Sequence, residues 1–388
     1  MPAAANWNYP TAIRFGAGRI AELPETCRSA GIARPLVVTD PGLATTPMLE
    51  RIVRHGAEAG LAPMLFSQIH ANPTRGDVAL GIAAYRTGGC DGVVAVGGGS
   101  ALDVGKVVAF AAGQSRPLWD FEDVGDWWTR ADANAIAPVI AVPTTAGTGS
   151  EDGRAGVILD EATATKKIIF HPRMLPVTVI ADPELMLSLP PNLTAATGMD
   201  ALSHCLEAYC APGFHPLADG IAVEGMRIVH DWLPRAVAQG HDIEARGQML
   251  AAAAMGATAF QKGLGAMHAL AHPIGALHHT HHGLTNAVLM PYVLAFNRAA
   301  IEQRLGILGA YLRLPSPGFD GFLDWILALR AKLAIPHDLS ALGVPPDDID
   351  RLAAMAEADP SAGGNPVLFD AAAARCVLEA AFSGTLRR

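Results

Sequence analysis

The chain has 388 residues, more than one hydrophobic core usually accommodates and enough for two domains. Hydrophobic residues make up 51% of it and charged residues 17%, so it can bury large cores and is not expected to be disordered. The formal net charge of −9 argues against a nucleic-acid partner, which would require a basic face. No apolar run reaches membrane-spanning length, so we expect no membrane association.

The cysteines and the N-terminus bear on location. Five cysteines occur and none forms a CxxC pair, so neither a disulfide framework nor a zinc ribbon is indicated. The N-terminal segment lacks a basic stretch followed by an apolar one, the pattern of a secretion signal. We therefore expect a cytoplasmic protein.

The first half of the chain alternates short apolar runs with helical patterns. Strands are predicted at PLVVTD, APMLFSQI, DGVVAVGGGS, APVIAVPTT and PVTVIADP, and helices at PMLERIVRHGAEAG, DVALGIAAYRTGG and ALDVGKVVAFAAG. Strands that alternate with helices indicate a parallel, Rossmann-like sheet covered on both faces. We predict an α/β domain over residues 1–186.

After about Leu187 the chain becomes rich in alanine, leucine and methionine, with helical periodicity and almost no β-branched runs. Prolines cluster in PELMLSLPP, which favours a boundary there. We predict an all-α domain over residues 187–388. The apolar character of this half also makes a homodimer or larger homo-oligomer our expectation.

A glycine-rich turn follows one predicted strand and precedes a helix. Gly97, Gly98 and Gly99 would let the backbone approach a ligand closely, and Ser100 could cap the helix, whose N-terminus favours an anionic group. Phosphate binding is one interpretation. A tight strand-to-helix turn without a ligand is the other, because the segment is neither a GxGxxG fingerprint nor a Walker A loop.

A second loop, PTTAGTGSE, also follows a predicted strand and carries hydroxyl side chains such as Thr144 and Thr145. Two such loops at the carboxyl ends of parallel strands are typical of a nucleotide-binding crevice. Asp40 ends another predicted strand, where a carboxylate can accept hydrogen bonds from ribose and would repel a 2′-phosphate. It therefore favours NAD over NADP, although a turn residue before Pro41 explains it equally well.

Carboxylate and imidazole groups concentrate in the second half. Asp200 and His204 are four residues apart, so a helix would place both on one face. His268 and His282 flank a Pro-Gly segment that could fold back. One carboxylate and three imidazoles suit a divalent transition metal, with a net charge of about +1 left at the site.

Six histidines lie between residues 268 and 282, so this enrichment does not decide which of them bind a metal. The i, i+4 spacing of His268 and His272 could point both side chains into one cleft. His278, His279 and His281 are also explained as surface histidines on a loop.

Four segments together resemble one protein family: GGGSALDVGK, PTTAGTGSE, GMDALSHCLEAY and GLGAMHALAHPIGALHHTHHG. The chain resembles the iron-containing (group III) alcohol dehydrogenases, whose relatives include lactaldehyde reductase, butanol dehydrogenases and 4-hydroxybutyrate dehydrogenases. The resemblance covers essentially the whole chain. It implies a dinucleotide-binding domain followed by a helical domain, an architecture shared with dehydroquinate synthase.

The resemblance also implies roles for individual residues. It implies metal ligation by Asp200, His204, His268 and His282, and a place near the nicotinamide, without metal binding, for His272. Because histidine titrates near neutrality, we expect the alcohol proton to leave through a ribose hydroxyl and His272. The implied cofactor-binding residues are Asp40, Asn72, Gly97, Gly98, Gly99, Ser100, Asp103, Thr144, Thr145 and Lys167.

Two departures from the family pattern prevent the substrate from being carried over. Asp152 stands where the family usually has an apolar residue after Glu151, and Leu277-His278-His279 replaces a segment that commonly contains an aromatic residue or an asparagine.

The resemblance implies an NAD(H)-linked alcohol dehydrogenase or aldehyde reductase that uses Fe²⁺, with Zn²⁺ as an alternative. We expect a small-molecule alcohol or aldehyde as substrate. Arg154 could pair with the carboxylate of a short hydroxy acid, or with Asp152 or Glu151 instead. The alternatives are a maleylacetate reductase, a zinc glycerol dehydrogenase-like enzyme, a dehydroquinate-synthase-type lyase and a non-catalytic nucleotide-binding protein.

Overall fold

A computed structural model describes residues 11–386 of the chain. These residues form two compact units, one made of residues 11–145 and 149–188 and the other of residues 146–148 and 189–386. The first unit is α/β and the second is helical, which confirms the predicted fold class. The domain boundary at residues 186 and 187 stays a prediction.

The α/β unit contains both strands and helices, and most of its strands form one sheet. Its strands are β1 (Ala12–Phe15), β2 (Pro35–Val38), β3 (Met64–Phe66), β4 (Gly92–Gly97), β5 (Val139–Pro143), β6 (Ala155–Asp160), β7 (Thr165–Phe170) and β8 (Thr178–Ala181). Its helices are α1 (Leu23–Ser29), α2 (Pro41–Ala44), α3 (Pro47–Glu58), α4 (Arg75–Thr87) and α5 (Gly99–Ala111).

Six of these strands form one parallel sheet in the order β1-β8-β5-β4-β2-β3. All residues of the central strands β4 and β5 are buried. Their runs of valine, isoleucine and alanine suit this position, because a parallel sheet is covered by helices on both faces. The sheet brings the carboxyl ends of β2, β4 and β5 side by side, where the loops predicted to bind a cofactor begin.

Two features of this unit were not predicted. Strand β1 has mostly exposed residues and lacks the buried apolar run that marks a strand in sequence. Strands β6 and β7 form a separate antiparallel hairpin, in which TKKIIF places polar residues beside apolar ones. Both depend on pairing with a partner strand, which a local pattern does not reveal.

The second unit is helical over the described residues. Its helices are α6 (Pro191–Cys210), α7 (Pro216–Ala238), α8 (Ile243–Ala259), α9 (Ala266–His278), α10 (His282–Tyr311), α11 (Phe319–Lys332), α12 (Ile349–Ala358) and α13 (Ala371–Ser383). Helix α6 is buried along most of its length and packs against α7, α8 and α10. Polar groups on this central helix are therefore held in a largely apolar interior.

The turn between His268 and His282 differs from the prediction. We expected the chain to fold back at the Pro-Gly segment, but Pro273 lies inside α9 and that helix continues to His278. The chain reverses at His279, which adopts a left-handed conformation with φ of 53° and ends the helix. Proline interrupts only one hydrogen bond of a helix, and the packing around α9 tolerates that loss.

Across residues 11–386, none of the helices combines the length and apolar character that crossing a lipid bilayer would require.

Candidate metal and cofactor sites

Three helices of the helical unit bring together the four predicted metal ligands. Asp200 and His204 project from α6, His268 from α9 and His282 from the first position of α10. One ligand atom of each side chain lies within 4.8 Å of the others. The i, i+4 spacing on α6 therefore acts as predicted, and the two remaining histidines meet it through tertiary packing.

The dimensions of this cluster fit a single ion. Nitrogen and oxygen ligands lie about 2.0–2.2 Å from Zn²⁺, so two of them can be at most about 4.4 Å apart. Oδ1 of Asp200 is 3.6 Å from Nε2 of His282, and the whole cluster exceeds the limit by only a few tenths of an ångström. The rings of His204 and His268 stack with centroids 4.7 Å apart, which places both imidazoles side by side in the interior of the helical unit.

Burial and neighbouring carboxylates together determine the protonation of His204 and His268. Complete burial lowers the pKa of His204 to about 4, so it is neutral near pH 7 and can offer a lone pair to a metal. Burial also opposes protonation of His268, but the neighbouring carboxylates, Glu207 first among them, outweigh it and raise the pKa. A metal would take the place of that proton.

Two further residues touch the ligands, and the sequence analysis gave neither of them a role. The side-chain amide nitrogen of Asn286 lies 3.0 Å from Oδ1 of Asp200, 3.3 Å from Nε2 of His268 and 3.2 Å from Nε2 of His282. Glu207 binds Nδ1 of His268 at 2.6 Å. Helical spacing could have found both, because Glu207 is seven residues after Asp200 and Asn286 is four after His282.

His272 lies beside the cluster. Its ring stacks on that of His282 with centroids 5.4 Å apart, and its Nδ1 is 2.8 Å from Oδ2 of Asp359. Burial alone would raise the pKa of Asp359, but the contact with His272 and bonds from Ser361 lower it. An ionised Asp359 accepts from Nδ1–H and leaves Nε2 of His272 available for proton transfer.

Gly283 allows α10 to approach α6 closely. An ideal β-carbon at this position would lie 2.4 Å from the carbonyl oxygen of Ala196 and 2.8 Å from Cβ of Asp200. Any side chain here would push the start of α10 away from α6. Gly283 is thus another residue whose importance the sequence analysis missed, although it directly follows His282.

The other histidines of the segment have local structural contacts. His278 forms an ion-pair contact of 3.1 Å with Asp348, His279 ends α9, and Nδ1 of His281 accepts from the backbone N–H of Leu284 at the start of α10. The described contacts support the interpretation of these three as residues outside the metal cluster.

In the α/β unit, the glycine and threonine loops lie next to each other. The backbone N–H of Thr144 donates to the carbonyl oxygen of Gly97 over 3.0 Å. Gly97 has φ of 151°, and a β-carbon on Gly98 would lie 3.2 Å from Oγ1 of Thr145. Glycine is therefore needed for backbone conformation at Gly97 and for space at Gly98, so the predicted pair of loops forms one surface.

Ser100 does not cap helix α5, contrary to our expectation. The N-cap residue is Gly98, without a side-chain cap, and Gly99 begins the helix. The hydroxyl of Ser100 instead donates to the carbonyl oxygen of Ala71 over 2.5 Å, directly before Asn72 in the chain. The uncapped N–H groups of the first turn remain directed toward the glycine loop, where an anionic group can accept from them.

Asp40 caps the short helix α2, with Oδ1 accepting from the N–H of Leu43 at 2.9 Å. Its Oδ2 lies 3.6 Å from the ideal β-carbon position of Gly97 and thus faces the glycine loop. The turn role and the ribose role were alternatives in the sequence. The geometry makes them compatible, because each uses a different oxygen.

Asp103 and Lys167 have protein partners already. Asp103 accepts from the Ser150 hydroxyl and, at 3.1 Å, from the N–H of Val157. Lys167 forms ion pairs with Asp160 at 3.2 Å and Glu122 at 3.4 Å. Both residues therefore shape the loop and the hairpin, and their predicted contacts with a cofactor stay predictions.

Asp152 is buried, and neither of its carboxylate oxygens has a hydrogen-bond partner among the described residues. Burial, together with the charge of Glu151, raises the pKa of Asp152 to about 8. The ammonium group of Lys106 is also buried, where it donates to the carbonyl oxygens of Ser150 and Ala155. Burial of a carboxyl group whose oxygens have no hydrogen-bond partner among the described residues costs free energy of folding.

A parallel sheet with paired glycine and threonine loops, and a helical unit with a buried carboxylate–imidazole cluster, define the class of metal-dependent, dinucleotide-linked dehydrogenases. The comparisons with known proteins identify the family. The iron-containing alcohol dehydrogenase model matches residues 10–183, and the model of the C-terminal part of the Fe-containing family matches residues 194–382. The chain belongs to the iron-containing alcohol dehydrogenase family, which confirms the resemblance and makes it an oxidoreductase.

Similar proteins span the whole chain. A 4-hydroxybutyrate dehydrogenase from Cupriavidus necator is 41% identical over 96% of this chain and 98% of its own length. An NAD-dependent methanol dehydrogenase from Bacillus methanolicus is 35% identical over 93% of this chain and 95% of its own. The crystal structure of a 1,3-propanediol oxidoreductase superposes with a TM-score of 0.92 at 33% identity, covering 98% of this chain and 100% of that one.

Proposed function

We propose that this protein is an NAD(H)-linked, metal-dependent alcohol dehydrogenase that oxidises primary alcohols or short hydroxy acids, or reduces the corresponding aldehydes. The observation that carries the proposal is the buried cluster of Asp200, His204, His268 and His282, whose ligand atoms lie within 4.8 Å of one another. A mixed oxygen and nitrogen donor set suits Fe²⁺, and Zn²⁺ is the alternative.

When bound, a divalent metal held by the four ligands would supply Lewis acidity toward the substrate oxygen, and NAD would supply the hydride acceptor, chemistry that side chains lack. The chain's own residues supply ligands, orientation and proton transfer. His272 accepts the alcohol proton at Nε2, because Asp359 holds its Nδ1. The NAD-dependent relative supports this choice of cofactor.

For the cofactor, we propose the surface formed by Gly97, Gly98, Gly99, Ser100, Thr144 and Thr145, together with Asp40 and Asn72. N–H groups at the start of α5 suit the pyrophosphate. The second oxygen of Asp40 suits a ribose hydroxyl and disfavours NADP. We also include Asp103 and Lys167 in the proposed cofactor site, because Asp103 holds the loop at Ser150 and Lys167 forms ion pairs at the hairpin.

A coupled experiment tests this function. Purified protein is assayed for NADH formation with a panel of primary alcohols and hydroxy acids, after its metal content has been measured. We expect activity that chelation removes and that Fe²⁺ or Zn²⁺ restores. Full activity in metal-stripped protein, or in His268→Ala and His282→Ala variants without bound metal, would contradict the proposal.

The substrate class has a specific candidate residue. The guanidinium group of Arg154 lies over the ring of Phe170 at 5.6 Å, and the described residues give it no ion pair with Asp152 or Glu151. The 4-hydroxybutyrate dehydrogenase relative makes a carboxylate-bearing substrate a reasonable choice for this cation. We therefore include short hydroxy acids and propose Arg154 as the carboxylate partner.

Comparing kcat/KM for butanol and 4-hydroxybutyrate in wild type and Arg154→Ala tests this part. We expect a loss of roughly 10-fold or more confined to the acid, the scale of a lost charge-assisted hydrogen bond. Equal effects on both substrates would remove Arg154 from the proposal.

Two further properties belong to the proposal. We propose a cytoplasmic enzyme, since the cysteines among the described residues are free thiols and three of them are buried.

We propose a homodimer or larger homo-oligomer, because large apolar side chains such as Phe15 and Ile307 are exposed, at 46% and 62%. Light scattering at several protein concentrations measures the assembly, and a monomer throughout would contradict this.

A further inference from the structure

Glu207 is joined to the metal cluster through one histidine. Its Oε2 lies 2.6 Å from Nδ1 of His268, and its Oε1 accepts from the backbone N–H of Met267 at 2.7 Å. The side chain is 6% exposed, so water does not compete for these contacts. Both carboxylate oxygens of Glu207 are therefore committed to the start of helix α9.

These two contacts determine which nitrogen of His268 faces the other ligands. A backbone N–H can only donate, so Oε1 is an acceptor, and an ionised carboxylate also accepts at Oε2. Nδ1 of His268 must then carry a hydrogen, so in the neutral ring Nε2 bears the lone pair. That nitrogen lies 3.3 Å from the amide nitrogen of Asn286, inside the cluster.

We propose that Glu207 is a positioning residue for metal binding: it fixes the tautomer and ring orientation of His268 so that Nε2 is ready to bind the metal. This inference rests on the proposed function, because it requires that the cluster bind a metal. Carboxylates that bind the second nitrogen of a metal-ligating histidine typically contribute 10–100-fold to metal affinity, so the effect is about that large.

Glu207 also changes the charge of the site. The ligands alone would leave about +1 on a divalent ion, whereas the charge of Glu207 brings the buried total to about zero. Asp200 is 2% exposed, so both carboxylates are removed from water and would repel each other unless a cation or protonated histidine lies between them. A divalent ion bound by Asp200 and the histidines would offset both negative charges, although Glu207 does not touch it.

The Glu207→Gln substitution isolates this role. An amide has nearly the same shape but offers one acceptor and one donor, so it cannot accept from both Met267 and His268. If its oxygen keeps the Met267 contact, its NH₂ group faces Nδ1 and favours the His268 tautomer with hydrogen on Nε2. That tautomer has its lone pair on Nδ1 and none on Nε2, the nitrogen that faces the other ligands.

The chain contains a matched control in Asp359. Its Oδ2 lies 2.8 Å from Nδ1 of His272, and its Oδ1 accepts from the backbone N–H of Ser361 at 2.8 Å. Asp359→Asn therefore makes the same chemical change beside a histidine that we do not assign as a ligand. The control should leave metal affinity unchanged while lowering kcat and altering its pH profile.

The experiment measures the Zn²⁺ dissociation constant of the metal-stripped full chain in chelator-buffered solution, for wild type and both variants. We expect Glu207→Gln to weaken binding by about 10–100-fold and Asp359→Asn to change it by less than about 3-fold. Circular dichroism without metal shows whether each variant is folded. Co²⁺ absorption reports the ligand environment, and we expect altered visible bands in Glu207→Gln only.

If Glu207→Gln does not fold, Glu207→Asp replaces it. This variant keeps the charge but shortens the side chain by one methylene, so it should also bind Zn²⁺ more weakly than wild type. Wild-type affinity in a folded Glu207 variant, or equal weakening in Asp359→Asn, overturns the inference and leaves the metal site intact. Failure of the wild-type chain to bind any divalent metal overturns the proposed function and this inference with it.

Discussion

Replacing Gly283 by alanine should damage the metal cluster without touching a ligand. A β-carbon at this position would lie 2.4 Å from the carbonyl oxygen of Ala196, whereas such carbon–oxygen contacts are normally about 3.3 Å or longer. The start of α10 must therefore move by roughly 0.9 Å. A movement of that size would lengthen the 3.6 Å separation between Asp200 and His282 to about 4.5 Å.

The expected consequences follow from that displacement. The cluster already spans up to 4.8 Å, and a metal site tolerates only about 0.2 Å in its ligand distances, so a displacement of roughly 0.9 Å is more than small side-chain adjustments can absorb. We expect Zn²⁺ affinity to fall by about 10-fold or more. Overpacking of this kind also costs about 1–3 kcal/mol, which should lower the Tm of the metal-free protein by about 2–12 °C.

The assay combines Zn²⁺ titration with thermal denaturation of metal-stripped protein. Gly220→Ala is the control, because this helical glycine has nothing within 4 Å of an added β-carbon. It should be neutral or stabilising by up to about 1 kcal/mol. Wild-type Zn²⁺ affinity in Gly283→Ala would refute the argument that close packing of α10 on α6 sets the distance between ligands.

Three more predictions concern single side chains. Asp152→Asn should make stability depend less on pH. The pKa of Asp152 is raised to about 8 from the usual value of 3.8. The contribution of Asp152 to the free energy of unfolding is therefore fully present below about pH 4 and is lost as the pH rises toward 8. The Tm of the variant should exceed that of wild type more at pH 8 than at pH 5, and an equal difference at both would contradict the burial argument. Asp40→Gly should raise the NADP-to-NAD ratio of kcat/KM by about 10-fold or more. Thr46→Gly removes a similar helix cap and should leave that ratio unchanged. An equal change would mean that loss of a helix cap, and not loss of the Asp40 carboxylate, alters the cofactor preference. His272→Ala should retain metal but lose about 10²–10⁴-fold in kcat, and metal loss would identify it as a ligand.

Sequence patterns predicted the two halves of the fold because each half carries a strong periodic signal. The buried valine runs of β4 and β5 and the apolar helices after Leu187 are local properties. The strand β1 and the hairpin of β6 and β7 were missed, since their residues are partly exposed and depend on cross-strand partners. We also expected the chain to fold back at Pro273, but helix α9 continues through it, because tertiary packing outweighs the loss of one backbone hydrogen bond.

For the site, spacing predicted only the pair that shares one helix. Asp200 and His204 lie four residues apart on α6, so local geometry already places them together. Choosing His268 and His282 among six histidines required the family resemblance, and the approach of His282 to α6 depends on packing at Gly283. Ser100 lost its predicted capping role because the helix begins at Gly99, two residues earlier than the pattern indicated.

The sequence by itself determined the fold class, the order of the loops and the types of ligand, because these follow from periodicity and from motifs read along the chain. Only the tertiary structure showed that Glu207 contacts His268, that Asp359 contacts His272, and that neither carboxylate oxygen of the buried Asp152 has a hydrogen-bond partner among the described residues. The physical reason is distance along the chain: Glu207 and His268 are 61 residues apart, and Asp359 and His272 are 87 apart. Such contacts form only when helices pack: helical spacing places Glu207 on the same side of α6 as Asp200, but it does not show which histidine Glu207 meets.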